Sequence, residues 1–398
     1  MESISSVSKF LKSEFVLLLI ISIGFSNFFE GRLSIVILLF IFPYLLSKKD
    51  FKIKFDLALI SLIGFSLFYT LFANINQAIA SPLTNLEYLI YPTAFYLAGK
   101  YIASKYKDSN IIIIFWLIIF IAFTLKDFTL IYSDFVQVGG VISSNRTLLD
   151  SNGNVIDAAT KFNVDLSFAL TSIAMILVPI STKYQRNYKI IWFIIGILCL
   201  LISLRLINRT AILLVGFSFL IIAFYLLIRW KRSNALIFII VIFTILFLYI
   251  SSFEIFQQVK DAFSKRNASL ASGGDRFVLW DYGIKLLTTD PLGIKFSKEH
   301  QQCHNLWLDI NKSGGILSFA IFIFFTYYSV KRTFIYILKK KIEIFLQCFI
   351  LCLSIAFYII CFTETILYET HYLLLFILFC GMTNQLYFNN YHDSRIIN

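Results

Sequence analysis

A chain of 398 residues with 59% hydrophobic residues, 44 Phe and a mean hydropathy of +0.80 is too apolar for a set of soluble domains and falls, by composition, with multi-spanning membrane proteins. The formal net charge of +12 does not require nucleic acid as a partner, because Lys and Arg accumulate in the cytoplasmic loops of such chains. The six cysteines form no disulfide framework, since five lie in apolar runs and only Cys303 lies in a polar segment.

In chain order, Lys9 and Lys12 precede an apolar run with no small-residue cleavage pattern after it, which predicts a retained first span. A helix crosses the hydrocarbon core with ~20 apolar residues, and on that criterion the chain reads as an all-α polytopic membrane protein with about 12 transmembrane helices. The expected spans are roughly 14–30, 33–47, 56–73, 86–103, 110–131, 162–181, 189–206, 209–229, 234–253, 315–331, 343–363 and 370–388. With the N-terminus cytoplasmic, the inside segments, from Lys9 and Lys12 through Lys48, Lys49, Lys52 and Lys54 to Lys339, Lys340, Lys341 and Arg395, hold 21 of the 35 basic residues. The outside loops near Asn74–Asn85 and Thr363–Thr370 hold none, so both termini are predicted cytoplasmic. Two larger outer excursions remain, 132–161 and 254–314, the second between spans nine and ten and carrying Arg276 and His304.

The residues able to carry chemistry lie mostly on that outer side. Arg205 and Arg209 are spaced i,i+4 at the junction of spans seven and eight, which reads either as two snorkelling interface arginines or as an anion site. Arg276 follows a Gly-Gly-Asp turn and opens a segment with apolar residues at helical spacing, Phe277, Trp280, Ile284 and Leu287, consistent with a helix lying on the membrane. Asp290-Pro291-Leu292-Gly293 reads as the turn that ends it. His304 is the side chain best suited to take a proton from a sugar hydroxyl at ambient pH, Asp309 is placed to orient it through a hydrogen bond, and Gly314-Gly315 permits close backbone approach nearby. The bland reading of His304 is a packed or solvated histidine. His300 lies one turn earlier, but no third ligand accompanies the pair, so no metal is expected. Glu364 and Glu369, with His371 just beyond, flank the last outer loop and read either as partners for arginines and acceptor or as plain interface residues. The polar loop Ser143–Asp157 reads as solvated or as sugar-binding.

These residues resemble the O-antigen polymerase and O-antigen ligase superfamily of bacterial cell-envelope glycosyltransferases. Asn208-Arg209-Thr210-Ala211 is similar to the family's Ser/Thr-Arg-Gly/Ala turn, and ten residues separate Arg205 from Gly216, as in an Arg-x10-Gly pattern of polymerases. Asp275-Arg276 through Trp280 to Asp290-Pro291-Leu292-Gly293 resembles the Arg…Trp…Asn/Asp-Pro…Gly stretch. His304-Asn305, nine residues and then Gly315-Ile316-Leu317-Ser318 is close to the ligase His-Asn-x9-Gly-x-x-Gly pattern, with Ser318 in place of the last Gly and Asn208 in place of Ser or Thr in the first motif.

The resemblance implies transfer from an undecaprenyl-diphosphate-linked glycan on the outer face of the bacterial inner membrane, without metal or other cofactor. Arg205, Arg209 and Arg276 would hold the diphosphate and His304 would be the general base, with Asn305, Asp309, Glu364 and Glu369 in support. A chain-length regulator is an implied partner beside the lipid bilayer. The Arg-x10-Gly spacing and His304-Asn305-Leu306-Trp307-Leu308-Asp309 favour polymerase over ligase. A lipid-linked glycan flippase is the alternative from another class, although mid-span charges and repeated halves, which such transporters show, are not clear in this chain.

Overall fold

The computed structural model describes residues 2–26, 36–49, 51–79, 81–106, 108–138, 148–149, 152–156, 158–178, 186–205, 210, 214–218, 220, 274–295, 302–339 and 343–395. The described residues are helical, with one isolated antiparallel bridge between Leu149 and Val155 and no strand. The helices are α1 (Glu2–Ser13), α2 (Phe15–Ser26), α3 (Ile41–Leu46), α4 (Leu57–Ile75), α5 (Pro82–Leu89), α6 (Tyr91–Lys105), α7 (Ser109–Val138), α8 (Ala158–Leu177), α9 (Arg186–Arg205), α10 (Gly274–Thr289), α11 (Leu306–Leu338), α12 (Ile344–Thr363) and α13 (Thr370–Arg395).

Among the described residues four stretches are long and apolar enough to cross a membrane: Leu57–Ile75, Leu306–Leu338, Phe345–Thr363 and Thr370–Asn390. Ser109–Leu125 and Asp127–Gln137, bent by 42°, make a fifth if the pair is one span. The expected spans at 14–30, 33–47, 162–181 and 189–206 coincide with shorter apolar helices. The one expected at 86–103 is divided at Ile90 into α5 and α6, because Pro92 lacks the N–H that would continue the helix and its ring crowds the carbonyl of Tyr88. The span expected at 234–253, most of that at 209–229, and residues 254–273 and 296–301 of the excursion 254–314 lie outside the described residues.

The chain forms two compact units. In the first (Met1–Ile112, Gly274–Ile342, Ile360–Asn398), α6 crosses α13 at backbone contact. A Cβ on Gly99 would run into the Leu378 carbonyl oxygen and one on Gly381 into that of Tyr96, so this crossing needs both glycines, as close helix pairs in lipid commonly do. α4 packs along α11 through Phe65 on Phe322, ring centroids 4.6 Å apart, and through Tyr69, whose hydroxyl is 3.1 Å from Ser313 Oγ.

Two polar layers bracket the apolar lengths of α4 and α11. At one end the carboxylate of Asp56, the N-cap of α4, lies 2.7 Å from Lys100 Nζ and 3.7 Å from Arg332 Nη1. The Tyr96 hydroxyl donates to the same carboxylate at 3.2 Å and accepts from Asn384 Nδ2 at 2.9 Å, and the Arg332 guanidinium stacks 4.5 Å over both Tyr328 and Phe388. At the other end Asn76, the C-cap of α4, donates from Nδ2 to Leu292 O at 2.8 Å and to Ser313 O at 3.0 Å. Here α11 breaks at Gly315 (φ 73, ψ 174), a backbone state reserved for glycine. The freed backbone groups bond to the Asp290–Gly293 turn: Ile294 N to Lys312 O at 2.9 Å and Ile316 N to Pro291 O at 2.8 Å. An irregular backbone joint is tolerated at membrane depth only when its groups are satisfied in this way. At about 1.5 Å per residue the layers stand roughly 30 Å apart along α4 and about 26 Å along α11, close to the ~30 Å of a bilayer's hydrocarbon core.

The second unit (Ile113–Gly273, Glu343–Ile359) is built on α7, α8 and α9, with a core of Ile131, Leu148, Val164, Phe168 and Cys199. α7 runs on to Val138 and α8 begins at Ala158, so regular helix enters both ends of the expected loop 132–161. Its described part is a turn around Gly153 (φ 79), fixed to α7 by Leu149 N donating to Asp134 Oδ1 at 3.1 Å.

Candidate functional site

α10 positions the first side chains. Helical spacing places Arg276, Trp280 and Gly283 on one face. Gly283 rests on the start of α11 so closely that a Cβ there would stand 3.1 Å from both Cys303 Sγ and Leu308 Cβ. Two turns up that face, Arg276 Nη2 is 3.5 Å from Glu364 Oε1, in the turn that follows α12. The Arg276 side chain is 44% exposed and that of Glu364 only 6%, so the pair has one wet and one dry member.

His304 stands just before α11, half-buried, with φ 51. This left-handed backbone costs a non-glycine residue on the order of 1–3 kcal/mol and is maintained only where neighbours fix it. Two side chains do so. Asn305 caps α11 by accepting from Leu308 N at 3.2 Å, and Asp309 Oδ1 accepts from Cys303 N at 2.7 Å. The sequence places Asp309 to bond the imidazole itself, but the structure puts its carboxylate on the amide of the preceding residue. From the first turn of α11 the short Asp side chain reaches backbone ahead of the cap, so it acts on His304 through the main chain.

Burial first, and then the charge of Arg276, hold the His304 imidazole below its usual basicity, so it is neutral at ambient pH. Its Nδ1 is buried without a hydrogen-bond partner. Buried polar atoms without partners also occur at Trp280 Nε1, Asp309 Oδ2 and both amide atoms of Asn311. The Cys303 thiol is pushed up to about 12, mainly by burial and secondarily by Asp309, which rules out a thiolate nucleophile near neutrality.

The structure thus brings together His304, Arg276, Glu364, Asn305 and Asp309. Glu369 lies in the turn before α13, where its carbonyl accepts from Tyr372 N at 3.0 Å. The His371 ring is 6.1 Å from that of Phe25. Arg205 is the last residue of α9, in the second unit, while Arg209, Arg146 and His300 lie outside the described residues. Among the described residues no group of three His, Cys, Asp or Glu side chains could hold a metal ion. Sequence reasoning missed Asn76 and Asn311. The signal for Asn76 was an Asn ending an apolar run, a helix C-terminal position; a buried, unpartnered Asn311 leaves no trace in hydropathy.

Chemically, a neutral imidazole beside a guanidinium can take a proton while the cation stabilises an anion. The molecule so defined is an all-helical protein with several helices of membrane-crossing length and a His-Arg-Glu cluster at one end of its first unit. Comparison with protein-family models and with curated protein sequences finds no match.

Proposed function

We propose that the chain is a bacterial inner-membrane glycosyltransferase, an O-antigen or capsular polysaccharide polymerase with about twelve spans and cytoplasmic termini. It moves glycan from an undecaprenyl-diphosphate carrier onto a lipid-linked repeat unit at the outer face. The observation that carries the reading is His304, kept neutral by burial and by Arg276, with its backbone fixed by Asn305 and Asp309. The family resemblance of the motifs around it supplies the substrate class.

In this reaction the acceptor hydroxyl oxygen bonds the donor's anomeric carbon, the bond from that carbon to the diphosphate oxygen breaks, and His304 takes the hydroxyl proton. Arg276 stabilises the leaving diphosphate, and the resemblance gives Arg205 and Arg209 the same role. Glu364 holds Arg276 from the protein side, as the 3.5 Å ion pair indicates.

The test is glycan display in cells in which His304→Ala, Arg276→Ala or Arg209→Ala replaces the native chain, with membrane insertion checked by immunoblot. Loss of long chains, leaving core with a single repeat unit, is the expected outcome. Bare core with long chains still on the lipid carrier assigns the protein as a ligase, and bare core without outer-face intermediates assigns a flippase. Normal long-chain glycan in His304→Ala removes His304 as the base.

A further inference from the structure

The charged layer at the Asp56 end of the first unit is out of balance. Lys100 and Arg332, 2% and 9% exposed, share one carboxylate. That carboxylate is already taken: Oδ2 lies 2.7 Å from Lys100 Nζ, while Oδ1 accepts from Leu59 N at 2.9 Å and from the Tyr96 hydroxyl at 3.2 Å. Arg332 Nη1 stops 3.7 Å from Oδ1, beyond hydrogen-bond range, and is buried without a hydrogen-bond partner. The rings of Tyr328 and Phe388 beside it attract the cation, but their faces do not replace a hydrogen bond. The cluster thus keeps a surplus positive charge and a buried donor lacking an acceptor, an arrangement that an anion would complete.

The guanidinium's planar fork suits phosphate oxygens. Its place in α11 suits them too, because Arg332 stands at the end of the apolar length that Gly315 opens. Towards the bilayer centre, at i−4 and i−8, Tyr328 and Phe324 continue the same helix face, with ring centroids 5.5 Å apart and Phe324 44% exposed. From Arg332 inward the order is cation, then aromatic ring, then exposed apolar ring, which matches a phospholipid from phosphate to acyl chain. Lys331 and Lys54, the latter accepting from Lys100 Nζ through its carbonyl at 2.9 Å, have exposed side chains that add to the positive field.

We infer that Arg332, with Lys100 sharing Asp56, forms a phosphate-binding site at this end of the first unit, occupied by an anionic phospholipid whose acyl chain lies along Tyr328 and Phe324. The surplus charge selects an anionic head group over a zwitterionic one, whose ammonium would find Asp56 already paired. The site lies at the opposite end of α11 from His304, so the inference does not rest on the glycosyltransferase reading and survives that reading's failure.

Thermal unfolding and native mass spectrometry of the full-length protein in detergent test it. Phosphatidylglycerol is expected to raise the unfolding midpoint by several degrees, phosphatidylcholine by much less, and inorganic phosphate not at all. In native spectra phosphatidylglycerol should be retained several-fold better than phosphatidylcholine. Arg332→Gln should abolish that preference, and Lys331→Gln, which removes the same charge from an exposed neighbour, should keep it. Where Arg332→Gln does not fold, Arg332→Lys, which keeps the charge and loses the fork, takes its place with a weakened preference expected. Equal effects of the two lipids, or a preference undiminished in the Arg332 variant or lost equally in Lys331→Gln, overturn the inference. A shift produced in full by inorganic phosphate shows a free-anion site and overturns the lipid as occupant.

Discussion

His304 sits in a left-handed backbone conformation that a non-glycine residue does not favour, and the residues that impose it, Asn305 and Asp309, are not the group proposed to act as base. Asp309 should therefore be needed for its acceptor oxygen rather than its charge. Asp309→Asn is expected to keep most of the activity, whereas Asp309→Leu, which frees the Cys303 amide and misplaces the imidazole, should lower kcat by on the order of 10²-fold with little change in KM. Steady-state kinetics with a lipid-linked donor separate these outcomes.

The imidazole gives a pH signature. Its folded-state value lies below the ordinary ~6.5 because of burial and Arg276, so as pH falls through 6.5 the unfolded chain binds the proton first and the folded state loses stability. Activity that needs the neutral ring should persist below 6.5 and fail only as pH drops through the lowered value. In Arg276→Gln one of the two depressing influences is gone, and the His304 titration, followed by NMR in histidine-labelled protein, should move upward. An unmoved or lowered midpoint would show that the guanidinium does not act on the ring.

The break in α11 is the element on which the site's placement depends. Gly315→Ala puts a Cβ 2.8 Å from Pro291 O at φ 73, a conflict with backbone that no side-chain rotation relieves. The expected cost is on the order of 1–3 kcal/mol from the dihedral alone, read as an earlier unfolding midpoint in a detergent titration, with α10 loosened from α11. Much of this element was legible in the sequence as separate parts: the Asp290–Gly293 turn, the close approach at Gly314-Gly315 and the helical spacing from Phe277. That they form one joint was not legible, since it depends on Asn76, more than 200 residues away in the chain. Nor was the true start of α11 visible. Asp309, Asn311, Lys312 and Ser313 interrupt the apolar run and read as loop, yet they are buried within the first turns of a helix that begins at Leu306.

At the scale of the molecule, the all-helical class followed directly from composition, while helix lengths did not. Hydropathy locates an apolar segment but says little about where proline divides it, as Pro92 does, or about short helices whose length is settled by packing. The charged layer around Asp56 was equally hidden, because Lys100 and Arg332 read as ordinary inside-loop basic residues and only the fold brings them onto one carboxylate. Removing that carboxylate leaves two buried cations uncompensated. Asp56→Asn is expected to cost about 3–5 kcal/mol of stability, and Asp56→Asn with Lys100→Met to recover part of it. A double mutant no more stable than the single would show that Lys100 and Asp56 are not coupled.

The polar layers at Asp56–Lys100–Arg332 and Asn76–Gly315 also make the first unit a ruler for the membrane it occupies. With roughly 26–30 Å between them, a bilayer of thinner hydrocarbon would leave apolar helix surface in water, and a thicker one would draw the Gly315 joint and its carbonyls into oil. Across a series of phosphatidylcholines of increasing acyl length, thermal stability of the reconstituted protein should therefore pass through a maximum near 30 Å of hydrocarbon and fall on both sides.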